Sequence, residues 1–431
     1  MAELKSTVKY NEKIEEGYTK IKHKSGLEVY IIPKDHASSF AGFGTKFGSF
    51  VNKFRLEGEK EFTDIPDGTA HFLEHKMFEN EDGEDTFAKY ARYGGSANAY
   101  TSNDRTVYYV TCTSNEYENL EVLLRLLRSP YFTEENIKKE QGIIGQEIGM
   151  YDNNPNWKLY MGALQGMYKV NPVRIDIAGT VESIGTLSKE LLYKCYETFY
   201  APSNMFLVLC GKYEAERVME LVDKIVEPTK KCTFELPEFT EPQKANRKKT
   251  ETNLDVARPV YMIGIKDSNT ENTGKAGLKK AATTDILVEC LFGIGSKFYC
   301  DGYRSGLLND SFEASYEQAF AYSHLMISGE AQSPDAVMKK LKEALAEAVE
   351  KGIDKADFER CKRVIYAKSI LSFESTEGFA QGFMNGILMN YDMLDVPSAI
   401  NGVKLADVNA RAKELFIEDA MTLSVVKPFK K

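Results

Sequence analysis

Histidine is scarce in this 431-residue chain, and cysteine occurs without any paired motif. With only five histidines, the position of each one carries information. The seven cysteines are an odd number and no CxxC is present, which excludes cysteine-based zinc ribbons and thioredoxin-like redox sites. We expect these cysteines to be reduced thiols that are mostly buried.

Long apolar runs and an excess of basic residues are missing too. No stretch approaches the run of about 18 apolar residues that a transmembrane helix needs, so we expect no membrane span. Lysine and arginine number 55 against 64 aspartates and glutamates, which gives a net charge of −9. A nucleic-acid partner is not expected for so acidic a chain. The N-terminal sequence lacks the apolar segment of a secretory signal, and this predicts a cytoplasmic protein.

What the chain does have is an ordinary globular composition, at a length that predicts two domains. The order of predicted strands and helices in the first half recurs in the second. A helical segment at 137–147 aligns with 358–368, and the two segments are separated by about half of the chain. The sequence therefore predicts an α+β fold with two homologous domains, at 1–226 and 253–431, joined by a linker rich in Pro, Lys and Glu at 227–252.

The strongest chemical signal is the run His71-Phe72-Leu73-Glu74-His75. It lies in a predicted helix, where residues i and i+4 share a face roughly 6 Å apart along the axis. Both imidazoles can therefore bind one metal ion. Glu74 points to the same side, where it can accept a proton from a water molecule that the metal activates. This order of residues is typical of inverzincin metallopeptidases; the alternative is two surface histidines on an amphipathic helix.

A third ligand is needed, because zinc hydrolases usually take three from the protein and leave one position open. None of the other three histidines lies on an obvious partner helix. Glu140 and Glu147 are better candidates, since their spacing makes two helical turns and places both on one face. One can bind the metal while the other orients a histidine. Their spacing alone leaves open which glutamate does which.

The run His71–His75, followed by Glu140-x6-Glu147, resembles the insulinase and pitrilysin family of zinc metallopeptidases, peptidase family M16. The chain is similar to the half-length bacterial and mitochondrial-processing-peptidase members. The resemblance implies Zn²⁺ as the cofactor and Glu147 as the third ligand, because Glu147 follows His75 at about the distance that the family shows. It implies that Glu140 supports a histidine. It also implies that each of the two homologous domains is an antiparallel sheet flanked by helices.

A second stretch, Gly94–Ser102, also resembles the family. In that family it forms the strand edge that pairs with substrate, which implies substrate-binding roles for Asn98, Ala99 and Tyr100. The implied function is a zinc-dependent endopeptidase that cleaves unstructured peptides through zinc-activated water. Two alternatives stay open: a subunit that acts mainly in assembly or substrate binding within a heteromer, and a zinc hydrolase that is not a peptidase. The natural substrate is not identified by the sequence.

One part of the family pattern is incomplete. Active members supply an Arg and, two helical turns further along the sequence, a Tyr that together hold the scissile carbonyl. Here Arg304 fits as the catalytic arginine, but Ser311 stands where the Tyr is expected, and Tyr316 is out of register. The resemblance therefore implies a partner: a homologous subunit in a heterodimer, or a second copy of the chain in a homodimer, that completes the site.

Overall fold

The computed structural model describes residues 6–229 and 233–429. Within these residues the chain forms fifteen strands. They are β1 (Ser6–Asn11), β2 (Glu16–Lys22), β3 (Glu28–Pro33), β4 (Ser39–Thr45), β5 (Lys53–Leu56), β6 (Thr63–Asp64), β7 (Ser96–Thr101), β8 (Thr106–Cys112), β9 (Met205–Gly211), β10 (Phe234–Glu235), β11 (Lys249–Leu254), β12 (Val260–Lys266), β13 (Glu313–Ala319), β14 (Tyr322–Glu330) and β15 (Met421–Pro428).

The same described residues form fifteen α-helices. They are α1 (Thr69–Lys76), α2 (Thr86–Arg92), α3 (Glu116–Leu126), α4 (Glu134–Asp152), α5 (Pro155–Met167), α6 (Val181–Ile184), α7 (Lys189–Phe199), α8 (Ala215–Ile225), α9 (Gly274–Phe292), α10 (Lys297–Arg304), α11 (Pro334–Lys351), α12 (Lys355–Leu371), α13 (Thr376–Leu388), α14 (Val396–Gly402) and α15 (Leu405–Leu415). In the described part of the chain, no helix combines the length and apolar character that a membrane crossing requires. The six described cysteines are free thiols, and Cys232 lies outside the described residues.

The largest sheet has seven strands in the order β1-β2-β3-β9-β4-β8-β7. Its neighbouring strands are antiparallel, except that β3 and β9 run parallel. The central strands β4 and β9 are buried along their whole length, and the near-continuous apolar run of β9 is typical of such a strand. A small separate sheet has the order β10-β5-β6. The strand β7, which contains the predicted substrate-binding residues, is an edge of the large sheet.

A five-stranded sheet in the second half has the order β11-β15-β12-β14-β13. Its one parallel pair is β11 with β15, and its other neighbours are antiparallel. The order and strand directions match β3-β9-β4-β8-β7 of the first sheet. The starts of α4 and α12 are separated by the same length of chain as the starts of β3 and β11. The predicted α+β fold with two homologous, mainly antiparallel domains is therefore confirmed.

The chain forms two compact units that interleave along the sequence. The first consists of Met1–Ile148, Asp176–Glu238 and Ser372–Leu388, and the second of Gly149–Ile175, Phe239–Leu371 and Met389–Lys431. Helix α5 therefore packs on β11, β12 and β15 of the second unit, while α13 packs on β4 and β9 of the first. The predicted boundaries at 1–226, 227–252 and 253–431 stay a prediction, and residues 230–232 of that linker lie outside the described residues.

Candidate metal centre

Helix α1 presents the histidines because its opposite face is anchored in the core of the first unit. Phe72 and Leu73 are fully buried. The helix begins after Gly68, which has a φ of 93°. An added Cβ at this position would collide with the carbonyl oxygen of Ala178. Glycine is therefore required both by the left-handed backbone and by the close approach of the neighbouring segment. This anchoring fixes the direction in which His71 and His75 point.

The structure brings His71, His75 and Glu147 together. One ligand atom from each residue lies within 4.8 Å of the others. His71 Nε2 is 3.8 Å from Glu147 Oε1, and His75 Nε2 is 3.6 Å from Glu147 Oε2. These separations are longer than ordinary hydrogen bonds. Three donor atoms that face a common point without bonding one another leave room for a metal ion between them.

Glu140 contacts the other side of the His75 ring. His75 Nδ1 donates a hydrogen bond to Glu140 Oε1 over 2.9 Å, which leaves the lone pair on Nε2, the atom that faces Glu147. Burial would raise the pKa of Glu140, but the hydrogen bond from His75 and the charges of His75, Lys76 and Lys139 lower it. Glu140 is therefore a carboxylate, and it sets both the tautomer and the orientation of the ring.

The two histidines have different electrostatic environments. Burial, together with the charge of His75, lowers the pKa of His71 to about 4. Burial also acts to lower the pKa of His75, but the hydrogen bond to Glu140 and the charges of Glu140, Glu74 and Glu147 outweigh it and raise that pKa. A neutral His71 offers a lone pair to a cation. The nitrogen and carboxylate donors, with glutamates nearby to balance the charge, fit a zinc ion.

Glu74 lies beside this group without belonging to it. Its carboxylate accepts a hydrogen bond from Thr101 Oγ1, with 2.7 Å between that atom and Glu74 Oε2. Burial raises the pKa of Glu74; the hydrogen bond from Thr101 and the charge of His75 oppose this rise, whereas the charge of Glu147 adds to it. A carboxyl with a raised pKa is better matched to proton transfer near neutral pH than an ordinary glutamate.

The predicted substrate residues Asn98, Ala99 and Tyr100 lie on β7, which pairs only with β8 within its sheet. The backbone N–H of Ala99 donates to Asn98 Oδ1 over 2.8 Å, so it is not used in the ladder with β8. The hydroxyl of Tyr100 donates to Gln381 Oε1 on α13 over 2.8 Å. An added strand would therefore have to displace Asn98 Oδ1 to use the N–H of Ala99.

Arg304 lies at the end of α10 in the second unit, and its side chain is 79 % exposed. Its proposed catalytic role stays a prediction. Ser311 lies in an exposed turn, where its Oγ accepts a hydrogen bond from the Glu330 backbone N–H over 2.9 Å. Tyr316 donates its hydroxyl to the buried Asp267 over 2.7 Å. The Tyr316 hydroxyl is thus already bonded within its own unit.

The second unit contains a different arrangement at the matching helices. Cys361 and Lys368 of α12 correspond to Glu140 and Glu147, and Lys368 donates to Glu289 Oε2 of α9 over 2.9 Å. Among the described residues, only the group around His71 brings three potential metal ligands together.

Two contacts at the site were not predicted from the sequence. Thr101 was part of the Gly94–Ser102 stretch, and strand alternation places it on the same face as Ala97 and Ala99, towards α1. That signal could have identified it. Gln381 has no such signal, because only the three-dimensional packing of α13 brings it to Tyr100.

Models of two protein families match the chain. Residues 61–181 match the insulinase family, peptidase family M16, and residues 186–365 match the domain described as the peptidase M16 inactive domain. YmfH, an uncharacterised zinc protease of Bacillus subtilis, is 38 % identical over 424 residues, which cover 97 % of this chain and 98 % of that protein. The similarity to YmfH therefore extends over both units.

Similarity to solved structures covers the whole fold as well. A crystal structure described as that of an M16-like peptidase from Alicyclobacillus acidocaldarius is 33 % identical, with a TM-score of 0.92 over 96 % of this chain and 98 % of that one. A more distant relative is mitochondrial-processing peptidase subunit beta of Caenorhabditis elegans. It is 27 % identical over 188 residues, 42 % of this chain and 40 % of that protein.

Proposed function

Because the chain belongs to the insulinase family, peptidase family M16, we propose that it is a zinc-dependent endopeptidase that cleaves unstructured peptides. The observation that carries the proposal is the convergence of His71, His75 and Glu147 on one point, with Glu74 on the same helix as the two histidines. A second glutamate, Glu140, holds one imidazole from behind. The name of the relative YmfH, a zinc protease, supports the same conclusion.

The proposed roles of the residues follow from their positions. When bound by His71, His75 and Glu147, a zinc ion supplies Lewis acidity that polarises a peptide carbonyl and makes water a stronger acid. Glu74 accepts the proton of the attacking water and passes it to the leaving amine. Its burial and raised pKa suit a group that is a base in one step and an acid in the next.

The edge strand β7 is the proposed peptide-binding element. Main-chain hydrogen bonds to Ala99 and its neighbours Asn98 and Tyr100 would hold a substrate as an added strand. Main-chain pairing tolerates many side chains, but it requires an extended backbone. Unstructured peptides are therefore the proposed substrate class.

The test measures cleavage of an unstructured peptide that has a fluorophore at one end and a quencher at the other. The parent chain should cleave it, lose activity to a chelator and recover activity with added zinc. Glu74→Gln should keep its zinc and lose about 10²–10⁴-fold in rate, the usual contribution of general acid–base catalysis. Glu135→Gln, an exposed glutamate near the start of α4, is the matched control and should behave as the parent. Cleavage by Glu74→Gln at the parental rate would refute the assignment.

The second candidate function, an assembly or substrate-binding subunit, has one observation in its favour. Ser311 stands where the family pattern has a Tyr, and its hydroxyl lies in an exposed turn. We propose that a homologous partner chain completes the site, in a heterodimer or a homodimer. The relative from Caenorhabditis elegans is itself named as a subunit.

The partner proposal is tested by assaying peptide cleavage by this chain alone and then by its mixture with a related half-length chain. That chain should have the carbonyl-holding Arg and Tyr of the family but lack the His-x-x-Glu-His run. Losing one donor to the transition state typically costs about 10²–10³ in rate, so the mixture should be faster by a comparable factor. Equal rates at all concentrations, with this chain running as a monomer, would contradict the proposal. The cytoplasmic location also stays a prediction, and cell fractionation tests it.

A further inference from the structure

Thr101 connects the edge strand β7 to the glutamate that is proposed as the base. Its Oγ1 donates to Glu74 Oε2 over 2.7 Å. The Glu74 residue is only 9 % exposed. Water is therefore poorly placed to replace a hydrogen bond that Glu74 loses, so the geometry of this carboxylate depends on Thr101.

We propose that Thr101 is a positioning residue for the peptidase reaction, because its hydroxyl holds the Glu74 carboxylate in the orientation that proton transfer requires. The inference rests on the proposed function, since the orientation of Glu74 affects a rate only if Glu74 is the base. It assigns a second role to β7. The strand proposed to pair with substrate also orients the base, and Thr101 shares a strand face with Ala99.

A second threonine supports the hydroxyl of Thr101. Thr106 pairs with Thr101 across β7 and β8, and their Oγ1 atoms are 3.3 Å apart. Thr106 Oγ1 also reaches the backbone oxygen of Phe47 over 2.9 Å. Each hydroxyl has one proton to donate and two lone pairs that accept. When Thr101 donates to Glu74, the one proton of Thr106 can go either to Thr101 Oγ1 or to the backbone oxygen of Phe47, but not to both.

The hydroxyls can also hold the carboxyl of Glu74 after it has taken a proton. The protonated carboxyl can then donate to Thr101 Oγ1, whose own proton turns to Thr106 Oγ1, while Thr106 donates to Phe47. A hydroxyl can therefore hold the glutamate in both states of the reaction. A methyl group of the same size can do neither.

The test compares Thr101→Val with Thr101→Ser in the full-length, zinc-loaded chain. Valine has the shape of threonine without the hydroxyl, and serine keeps the hydroxyl without the methyl. With the doubly labelled peptide as substrate, Thr101→Val should lower kcat about 10- to 100-fold, the usual effect of a lost hydrogen bond to a charged group. KM and zinc content should change less than about 3-fold. Thr101→Ser should recover most of kcat.

The matched control is Thr111→Val, which removes a hydroxyl from the neighbouring strand β8 and should stay within about 2-fold of the parent in kcat. If Thr101→Val has the parental kcat, or if Thr101→Ser loses as much as Thr101→Val, the proposal is wrong. In the second case the methyl group, and not the hydroxyl, would be what matters.

A second measurement does not depend on activity. The urea midpoint of unfolding is compared for Thr101→Val in the parent and in a Glu74→Ala background. The Thr101–Glu74 hydrogen bond predicts that Thr101→Val lowers the urea midpoint more in the parent than in the Glu74→Ala background. Only in the parent does the substitution leave a buried carboxylate without its donor. Equal decreases overturn the inference. If the parent cleaves no peptide, the proposed function fails while this unfolding cycle still decides whether Thr101 holds Glu74.

Discussion

Glu140 and Glu147 lie two turns apart on α4, yet they contact different sides of the histidine pair. Glu140 accepts from His75 Nδ1, whereas Glu147 faces the Nε2 atoms of both His71 and His75. Spacing alone could not separate these roles, because both carboxylates share a helix face. The sequence does not show which nitrogen of the imidazole ring each glutamate contacts. What the sequence could predict was that the two glutamates and the histidines of α1 belong to one site.

The two glutamates should therefore affect metal binding differently. Glu147→Gln removes a proposed ligand, so purified protein should contain much less than one zinc per chain. Glu140→Gln removes the partner that fixes the His75 tautomer, and it should weaken zinc binding by about 10- to 100-fold without abolishing it. Competition with a colorimetric chelator measures both affinities. Glu135→Gln on the same helix is the control. Full zinc content in Glu147→Gln would show that the ligand has been misassigned.

A buried ion pair stabilises the second unit away from the metal centre. The carboxylate of Asp267 is fully buried and pairs with the guanidinium of Arg411. Lys280 Nζ lies 3.4 Å from Asp267 Oδ2, and the Tyr316 hydroxyl donates to the same oxygen. Burial would raise the pKa of Asp267, but the hydrogen bond and charge of Arg411, together with Lys280 and Tyr316, lower it.

Asp267→Asn should therefore destabilise the protein at pH 7 by about 3–5 kcal/mol, because it removes the buried carboxylate that Arg411 and Lys280 share and leaves Arg411 only the ion pair with the more exposed Glu414. The folded pKa is below the unfolded value of about 3.9. The contribution of the carboxylate is thus complete above that pH, and it is lost as the pH falls through the folded pKa. Urea unfolding at pH 7 and below pH 4 should show the difference between parent and variant shrinking in acid.

Asp335→Asn is the control for this measurement, since Asp335 forms an exposed pair with Lys249. Asp335→Asn should change the free energy of unfolding by no more than about 1 kcal/mol. A difference between Asp267→Asn and the parent that is the same at both pH values would rule out the ionised carboxylate as the source of the stability.

At the scale of elements, equivalent helices of the two repeats pack on each other's sheets. Helices α5 and α13 are equivalent, because their starts are separated by the same length of chain as those of α4 and α12. The first packs on the sheet of the second unit, and the second packs on the sheet of the first. Repeated element order let the sequence predict two similar domains. The sequence could not predict that α5 and α13 pack on the sheet of the other repeat. The apolar face of a helix indicates that the helix is buried, but not which sheet covers it.

Helix α13 completes the core of the first unit through aromatic contacts. The ring of Phe383 lies edge-on to Tyr18 and Tyr30, with centroids 4.7 and 5.2 Å away. Phe383→Ala should lower the free energy of unfolding by about 3–5 kcal/mol, the usual range for a buried phenylalanine. Leu371→Ala, at the exposed end of α12, is the control and should change it by less than about 0.5 kcal/mol. Urea denaturation measures both. Equal small effects would mean that α13 contributes little to this core.

At the scale of the whole molecule, one architecture is used twice with different side chains. In the second unit, α12 is the equivalent of α4, and it packs on α9. There Lys368 and Glu289 form an ion pair, and Cys361 takes the position of Glu140. A cation in the position of Glu147, the proposed ligand of the first copy, cannot coordinate a zinc ion. The repeat therefore explains why the described part of the chain contains two folds of the same kind but a single candidate centre.

The exchange of α5 and α13 also determines how the chain should respond to cleavage. Limited proteolysis should cut first between residues 227 and 252, the predicted linker; within it, residues 236–248 form neither helix nor strand. Cleavage leaves α5 in the N-terminal fragment, although it packs in the second unit, and α13 in the C-terminal fragment, although it packs in the first. The two fragments should therefore elute together in gel filtration and separate only in denaturant. Two bands on a denaturing gel with one native peak is the expected result. First cuts within α9, or fragments that separate without denaturant, would contradict the predicted boundary or the exchange respectively.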